Sequence, residues 1–374
     1  MKKTLFYSLA GTLLFSLNAM AFETKATHAL LMDADTGHIM FEKEADIPMP
    51  PASMSKLMTV YIVFDALKDG RLKLDDEFIV SENAWRTGGT LSGGSTMFLK
   101  PAEKVKVLDL LKGVIIQSGN DACITIAENL AGSESAFAEL MNEKAKELGL
   151  NNSTFKNSTG LPDPEHKMSA KDLAMLAQLL INKFPEYYYL FSEKSFKHNG
   201  ITQGNRNPLL YKIPGADGLK TGHTKESGYG LTGSVKSSDG RRVILVINGL
   251  ESMQARDEES RRLATYGTAG FMTSTLVAKD KVVESIPVWL GTEDTVDAIT
   301  EKEYKMTHAR GKKTPKITIS YNTPVVAPIK KGDIIATLKI GEGENQASMN
   351  LLAAKDIEKA GYFKRLKQTL KSWF

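Results

Sequence analysis

Cysteine is almost missing from this 374-residue chain: Cys123 stands alone. No internal disulfide can staple the fold, so its stability must come from buried apolar surface. The lone thiol falls in DACITIAENLA at helical spacing, where a small buried hydrophobe is expected rather than a nucleophile. Metal-ligand patterns are missing too. The six histidines, His28, His38, His166, His198, His223 and His308, form no HExxH or other ligand spacing, so neither a metal nor another cofactor is expected. No basic-aromatic motif of an RNA-binding module occurs, which leaves nucleic acid out as a partner. The one strongly apolar stretch near the N-terminus is too short to span a bilayer.

What is present is globular composition, 42% hydrophobic and 25% charged, at a length that predicts two domains. The opening MKKTLFYSLAGTLLFSLNAMA has Lys2 and Lys3 ahead of the apolar stretch and closes on Ala19-Met20-Ala21. This is the layout of a secretory signal, residues 1–21, with the mature chain starting near Phe22. Loss of Lys2 and Lys3 lowers the formal net charge from +4 to +2, so the basic balance carries no argument for a nucleic-acid partner.

Along the mature chain, HALLMDADTGHIMFEKEA alternates and turns at Asp35-Thr36-Gly37, which predicts a β-hairpin. From Ser53 to about Phe184 the pattern is mostly helical, broken by RTGGTLSGGST and NNSTFKNSTGLPDPEHK, after which Ser169 is placed to cap a new helix. ADGLKTGHT, GYGLTGSVK and RRVILVINGL read as strands, and a helix is expected from about Met253 to Thr273. A helical block between an early hairpin and late strands implies one antiparallel sheet closed by both ends of the domain, residues 22–277. Residues 278–355 turn to β character, with PVWLG, KITISY, TPVVAPI and DIIATLKIG as strand candidates of a small all-β domain. Residues 356–374 are expected to form an amphipathic helix, with Ile357, Ala360, Phe363, Leu366, Leu370, Trp373 and Phe374 on one side and lysines and an arginine over much of the rest.

The chemistry starts from a misplaced charge. Lys56 sits in PASMSKLMTVY, in the first turn of a helix that is apolar on nearly all sides, where burial and the positive end of the helix dipole both oppose an ammonium. Three residues earlier on the same face is Ser53, and a neutral amine there is a competent base for its hydroxyl. A capping Ser53 with a solvent-seeking Lys56 is the plainer alternative. Spacing alone is weak evidence, since Ser153-Thr154-Phe155-Lys156 repeats it in a polar loop. Two further groups fall in order: Ser118-Gly119-Asn120 between apolar helical runs, and Lys220-Thr221-Gly222 on a predicted strand, where Gly222 would let a ligand backbone lie close. Ser81-Glu82-Asn83 matches Ser-x-Asn too, whereas Lys-Thr-Gly occurs once.

The set Ser53-x-x-Lys56, Ser118-x-Asn120, Lys220-Thr221-Gly222 resembles the penicillin-binding proteins and class A β-lactamases. PASMSKLMT, IIQSGNDA, GNRNPLL and DGLKTGHT, with the signal, small β domain and basic amphipathic C-terminus, make the whole mature chain similar to the low-molecular-mass penicillin-binding proteins that are D-alanyl-D-alanine carboxypeptidases. The resemblance implies an α/β (α+β) fold: a β-lactamase-like catalytic domain, with an antiparallel sheet flanked by helices, and a small all-β domain behind it. It implies removal of the terminal D-alanine from peptidoglycan stem peptides and covalent inhibition by β-lactams. By the same resemblance Ser53 is the nucleophile and Lys56 its base, Ser118 and Lys220 carry a proton to the leaving D-alanine, and Asn120 holds the Lys56 amine and a substrate amide. The backbone N–H groups of Ser53 and His223 would form the oxyanion hole, and Thr221 and Arg256 would hold the substrate carboxylate, with Arg206 a further candidate.

Three rival readings meet obstacles in the sequence. A class A β-lactamase needs a deacylating glutamate in a Glu-x-x-Leu-Asn loop, and Glu165 here is followed by His166-Lys167-Met168-Ser169. Asp35-Thr36-Gly37 matches the aspartic-protease signature but occurs once, and a hairpin turn explains it. A non-enzymatic wall-binding or β-lactam-sensing homologue would keep the fold, but a sensor usually adds a membrane span, and none follows the signal. The C-terminal helix is expected to anchor an exported, periplasmic protein on the outer face of the cytoplasmic membrane.

Overall fold

The computed structural model describes residues 22–312, 316–322, 324–341 and 347–371. The expected signal, residues 1–21, and the terminal Trp373 and Phe374 lie outside the described residues. The sheet of the first domain is antiparallel and runs Ile39–Lys43, His28–Asp33, Arg242–Leu250, Gly228–Lys236, Ala216–Thr224. The hairpin and the late strands thus close one sheet, as the order of elements implies.

Strand period explains both cores. Leu30, Met32, Ile244 and Val246 face the helical block, whereas Ala29, Leu31, Val243, Leu245 and Ile247 face the other way, against Leu263 and Ala264 of the helix Met253–Gly270. Alternate residues of one strand therefore feed two hydrophobic clusters, which is why VILVI reads as a continuous apolar run. The helix Lys56–Lys68 lies inside the helical block and is buried on all sides from Lys56 to Phe64. Ser169 caps the helix Ala170–Lys183, its Oγ accepting from Asp172 N at 3.0 Å.

The helix expected to reach Thr273 ends at Gly270. Arg241 donates to the carbonyls of Gly267, Thr268 and Phe271 at 3.0–3.1 Å and so closes the helix end. Phe271–Val277 then pairs with Tyr304–Ala309 as a ribbon. Thr307 Oγ1 in that ribbon lies 2.9 Å from Thr36 Oγ1 and 2.8 Å from Thr273 Oγ1. Asp33 accepts from the N–H groups of Asp35 and Thr36 and from Thr273 Oγ1, while Gly37 supplies a φ of +69°. The Asp-Thr-Gly segment is thus a hairpin turn tied to the second domain.

That domain holds a six-stranded sheet in the order Ile317–Ser320, Ile334–Ile340, Ala347–Ala353, Thr295–Ile299, Val282–Trp289, Val325–Val326. Thr295–Ile299, Tyr304–Ala309 and Ala347–Ala353 were not among the expected strands. The first two carry charged residues (TVDAI, YKMTHA) and the third mixes polar and apolar positions (ASMNLLA), which masks a two-residue period. The C-terminal helix is Tyr362–Lys371 and begins six residues later than expected. Ile357 and Ala360 do not join its apolar side. They are buried in the β domain, Ile357 bridging Ile329 and Ala360 N donating to Leu290 O at 2.9 Å. Among the described residues no helix is long and apolar enough to cross a membrane.

Candidate active site

The chain enters the buried helix through a 3₁₀ turn, Ala52–Ser55, with Ala52 at a φ of +48°, a strained value for a residue with a side chain. Ser53 is half-buried in that turn, and no side-chain cap closes the helix start. Lys56 is wholly buried, and its Nζ lies 2.9 Å from Ser53 Oγ, 2.8 Å from Asn120 Oδ1 and 2.5 Å from Thr159 O. The capping alternative is therefore excluded: the serine faces the lysine and the lysine does not reach solvent.

These three contacts fix what the amine can do. Asn120 Oδ1 and Thr159 O can only accept, so the two hydrogens of a neutral amine must go to them. Its lone pair is then left for the Ser53 hydroxyl. Burial lowers the Lys56 pKa to about 8, and the charge of Arg206 pushes the same way.

Asn120 opens the helix Asn120–Ala131, and its N–H donates to Ser95 O at 2.7 Å. Ser118, two residues earlier, is buried at a φ of +63° at the end of the π-helical turn Gly113–Gln117. Between the cleft and the core, Asp121 accepts from Thr96 Oγ1 at 2.6 Å and from the N–H groups of Met97 and Leu99, pinning the Gly-rich loop beside the site. Cys123 is buried in the same helix, its thiol pushed up to about 12 by burial, which makes it inert.

Lys220 and Thr221 lie buried on the edge strand Ala216–Thr224. Burial holds the Lys220 pKa well below the ordinary lysine value, and the charges of Lys56, Arg206 and Arg256 lower it further. Gly222 has a packing reason: a Cβ there would lie 2.8 Å from Pro51 O and 3.2 Å from Ala52 Cβ. The glycine lets the edge strand press on the turn that carries Ser53. His223 is exposed at the end of this buried run, and its ring stacks on Tyr229 at 3.8 Å between centroids. Arg256, in the first turns of Met253–Gly270, is buried apart from 6% of its surface. Arg206 donates to Ser95 Oγ at 2.6 Å.

Among the described residues, none of Lys56, Lys220, Arg206 and Arg256 forms an ion pair. The charge of Arg206 lowers the pKa of Lys56, Lys220 and Arg256 alike, so these basic side chains lie close enough to sense one another. The decoy motifs are occupied elsewhere. Ser81 Oγ and Asn83 Nδ2 both donate to Glu128, Ser153 Oγ donates to Asp172, and Lys156 pairs with Glu165 at 2.8 Å. Glu165 is thereby held on the surface.

Residues 16–252 match the D-alanyl-D-alanine carboxypeptidase family, and residues 271–359 match the penicillin-binding protein 5 C-terminal domain. The chain belongs to the D-alanyl-D-alanine carboxypeptidases. It is 40% identical to D-alanyl-D-alanine carboxypeptidase DacC of Escherichia coli over 90% of this chain and 85% of that protein. It is 34% identical to DacF of Bacillus subtilis over 100% of this chain and 99% of that one. The crystal structure of penicillin binding protein 5 from Haemophilus influenzae superposes with a TM-score of 0.81 at 34% identity, covering 91% of this chain and 99% of that one. The protein is therefore a serine-type carboxypeptidase with a penicillin-binding protein 5-like fold.

Within this carboxypeptidase three contributors to the site carry no sequence signal. Thr159 acts through its backbone carbonyl, which any residue could supply. Asp121 acts on the loop at Met97 and Tyr229 on the Arg256 side chain, both distant in sequence. His166 was read only as a non-ligand. It lies edge-on to Phe155, Nδ1 accepts from Lys156 N at 3.2 Å, and burial lowers its pKa to about 4. The imidazole is neutral and braces the loop that carries Thr159.

Proposed function

We propose that this carboxypeptidase trims the terminal D-alanine from peptidoglycan stem peptides through an acyl-enzyme on Ser53. The observation that carries the reading is the buried Lys56 amine, whose two carbonyl partners leave its lone pair to the Ser53 hydroxyl. Ser53 Oγ attacks the carbonyl carbon of the penultimate D-alanine as its proton moves to Lys56 Nζ. The backbone N–H groups of Ser53 and His223 receive the oxyanion. As the peptide C–N bond breaks, the leaving amine takes a proton relayed through Ser118 and Lys220, while Asn120 holds the Lys56 amine and a substrate amide. Thr221 and Arg256 grip the free carboxylate. Water then hydrolyses the ester and restores Ser53.

β-Lactams would acylate the same hydroxyl and leave slowly, because Glu165, the carboxylate of the loop that class A β-lactamases use for deacylation, is committed to Lys156 on the surface. The test is intact-mass measurement after brief exposure to a penicillin, with the modified peptide mapped, alongside D-alanine release from a pentapeptide. The expected result is a persistent adduct on Ser53 and loss of both signals in Ser53→Ala. An adduct elsewhere, or rapid penicillin turnover, overturns the reading.

The C-terminal helix is read as an in-plane anchor that keeps an exported, periplasmic enzyme on the outer face of the cytoplasmic membrane. Lys364 Nζ donates to Thr292 O at 2.9 Å and Gln368 Oε1 accepts from Leu290 N at 3.0 Å, so its polar side docks on the β domain. Tyr362, Phe363, Leu366 and Leu370 remain exposed. Truncation belongs after Gly361, because a cut at Asp356 would strip Ile357 and Ala360 from the β-domain core. The shortened protein is expected to leave the membrane fraction with its peptidase activity intact; continued membrane association overturns the anchor.

A further inference from the structure

Arg256 is held in an unusual way for a buried cation. The acids that follow it are committed to other partners: Asp257 to Lys212 at 2.6 Å and Arg261 at 3.3 Å, Glu258 to Gln254 at 2.8 Å, and Glu259 to Arg262 at 2.6 Å and Thr24 at 2.7 Å. Arg256 Nε is buried without a hydrogen-bond partner. The contact that supports the guanidinium is aromatic: Cζ lies 5.8 Å from the centroid of the Tyr229 ring. Tyr229 in turn stacks on His223, its partner across the hairpin of Ala216–Thr224 and Gly228–Lys236, with rings 3.8 Å apart and 25° from parallel.

A ring face holds a guanidinium without neutralising it and without using any of its N–H donors. A carboxylate in that place would do both, and would compete with an incoming anion. One side chain therefore touches two groups: a cation kept out of ion pairs, and His223 across the hairpin.

We propose that Tyr229 is a positioning residue for carboxylate recognition, holding the Arg256 fork open and fixing its distance from His223, so that the enzyme selects peptides ending in a free carboxylate. The proposal rests on the reading that Arg256 binds that carboxylate. Tyr229 touches neither the reacting bond nor the nucleophile, and its action on the carboxylate is through Arg256.

The experiment uses the full chain and two thioester substrates of one acyl group, one with a leaving group that bears a carboxylate and one with that carboxylate methyl-esterified. Rates are expressed per Ser53 that a β-lactam acylates, so a partly folded preparation still reports. Tyr229→Leu is expected to lower kcat/KM on the acid about tenfold, chiefly through KM, with little change on the ester. Tyr229→Phe, which keeps the ring face, is expected to rescue the preference. In an Arg256→Ala background Tyr229→Leu should cost nothing more, because the two act as one unit. Equal losses on acid and ester, multiplying losses in the double variant, or failure of phenylalanine to rescue would each overturn the positioning role. If Arg256→Ala alone leaves the acid preference intact, the underlying carboxylate reading fails first, and the fault is then not in Tyr229.

Discussion

The chain contains the same four-residue spacing twice, and the two copies share almost nothing else. At Ser53 and Lys56 the backbone is helical, the lysine is wholly buried, and burial takes its pKa to about 8. Around Ser153 and Lys156 there is no helix: Thr154 bridges Lys167 as an isolated β-bridge and Lys156 falls in a bend. Without a helical turn to hold them on one face, serine and lysine part: Ser153 Oγ donates to Asp172 at 2.7 Å, and Lys156 goes to Glu165, which raises its pKa through a hydrogen bond and then through charge. Spacing is thus only a necessary condition. A helical backbone brings the two groups together, and exclusion of water lowers the pKa of the amine.

The largest way to sharpen that contrast is to remove each amine in turn. Lys56→Met is expected to slow acylation of Ser53 by a β-lactam about 10²- to 10⁴-fold, the range for loss of a general base. Lys156→Met should leave the rate unchanged, because its partner Glu165 lies on the surface. Stopped-flow acylation of the two variants measures both. Comparable losses would mean that the buried amine has no special role.

The contact between Ser53 and Lys56 was legible because both its causes are local: a helical period, and an apolar run that forbids water. The sheet was legible for the same reason, since VILVI and its neighbours state a buried strand in their own residues. The Thr159 carbonyl on Lys56 was not, because a backbone group has no residue signature and its placement depends on a loop folded over the helix. The start of the C-terminal helix was misjudged on similar grounds. Ile357 and Ala360 fit the helical stripe by spacing, yet the pull of the β-domain core on them is tertiary and leaves no periodic trace.

A smaller effect separates the two lysines thermodynamically. The folded-state pKa of Lys56 lies below its ordinary 10.5, at about 8, so between these values the unfolded chain binds the extra proton. Stability conferred by this group therefore rises with pH across that window, and is lost as pH falls through the folded value. Relative to Lys56→Met, the wild type should gain on the order of 3 kcal/mol from pH 8 to pH 10.5, measured by denaturant unfolding at a series of pH values. Lys156, whose pKa moves the other way, should give no gain of this sign when replaced by methionine.

The smallest effect tests the base itself. If the neutral Lys56 amine removes the Ser53 proton, the acylation rate follows the deprotonated fraction of a group with a pKa of about 8. The rate should therefore climb roughly tenfold between pH 7 and pH 9 and level off above that. The midpoint belongs to an environment as well as to a residue: burial sets most of it, Arg206 lowers it, and Glu134 and Asp121 raise it. Arg206→Gln removes a neighbouring positive charge, so the ammonium becomes easier to keep and the midpoint must move upward. Glu134→Gln must move it downward for the converse reason. A profile whose midpoint ignores both substitutions while still rising near pH 8 would assign the titration to a group other than Lys56 and Lys220, because the charge of Arg206 lowers both lysines.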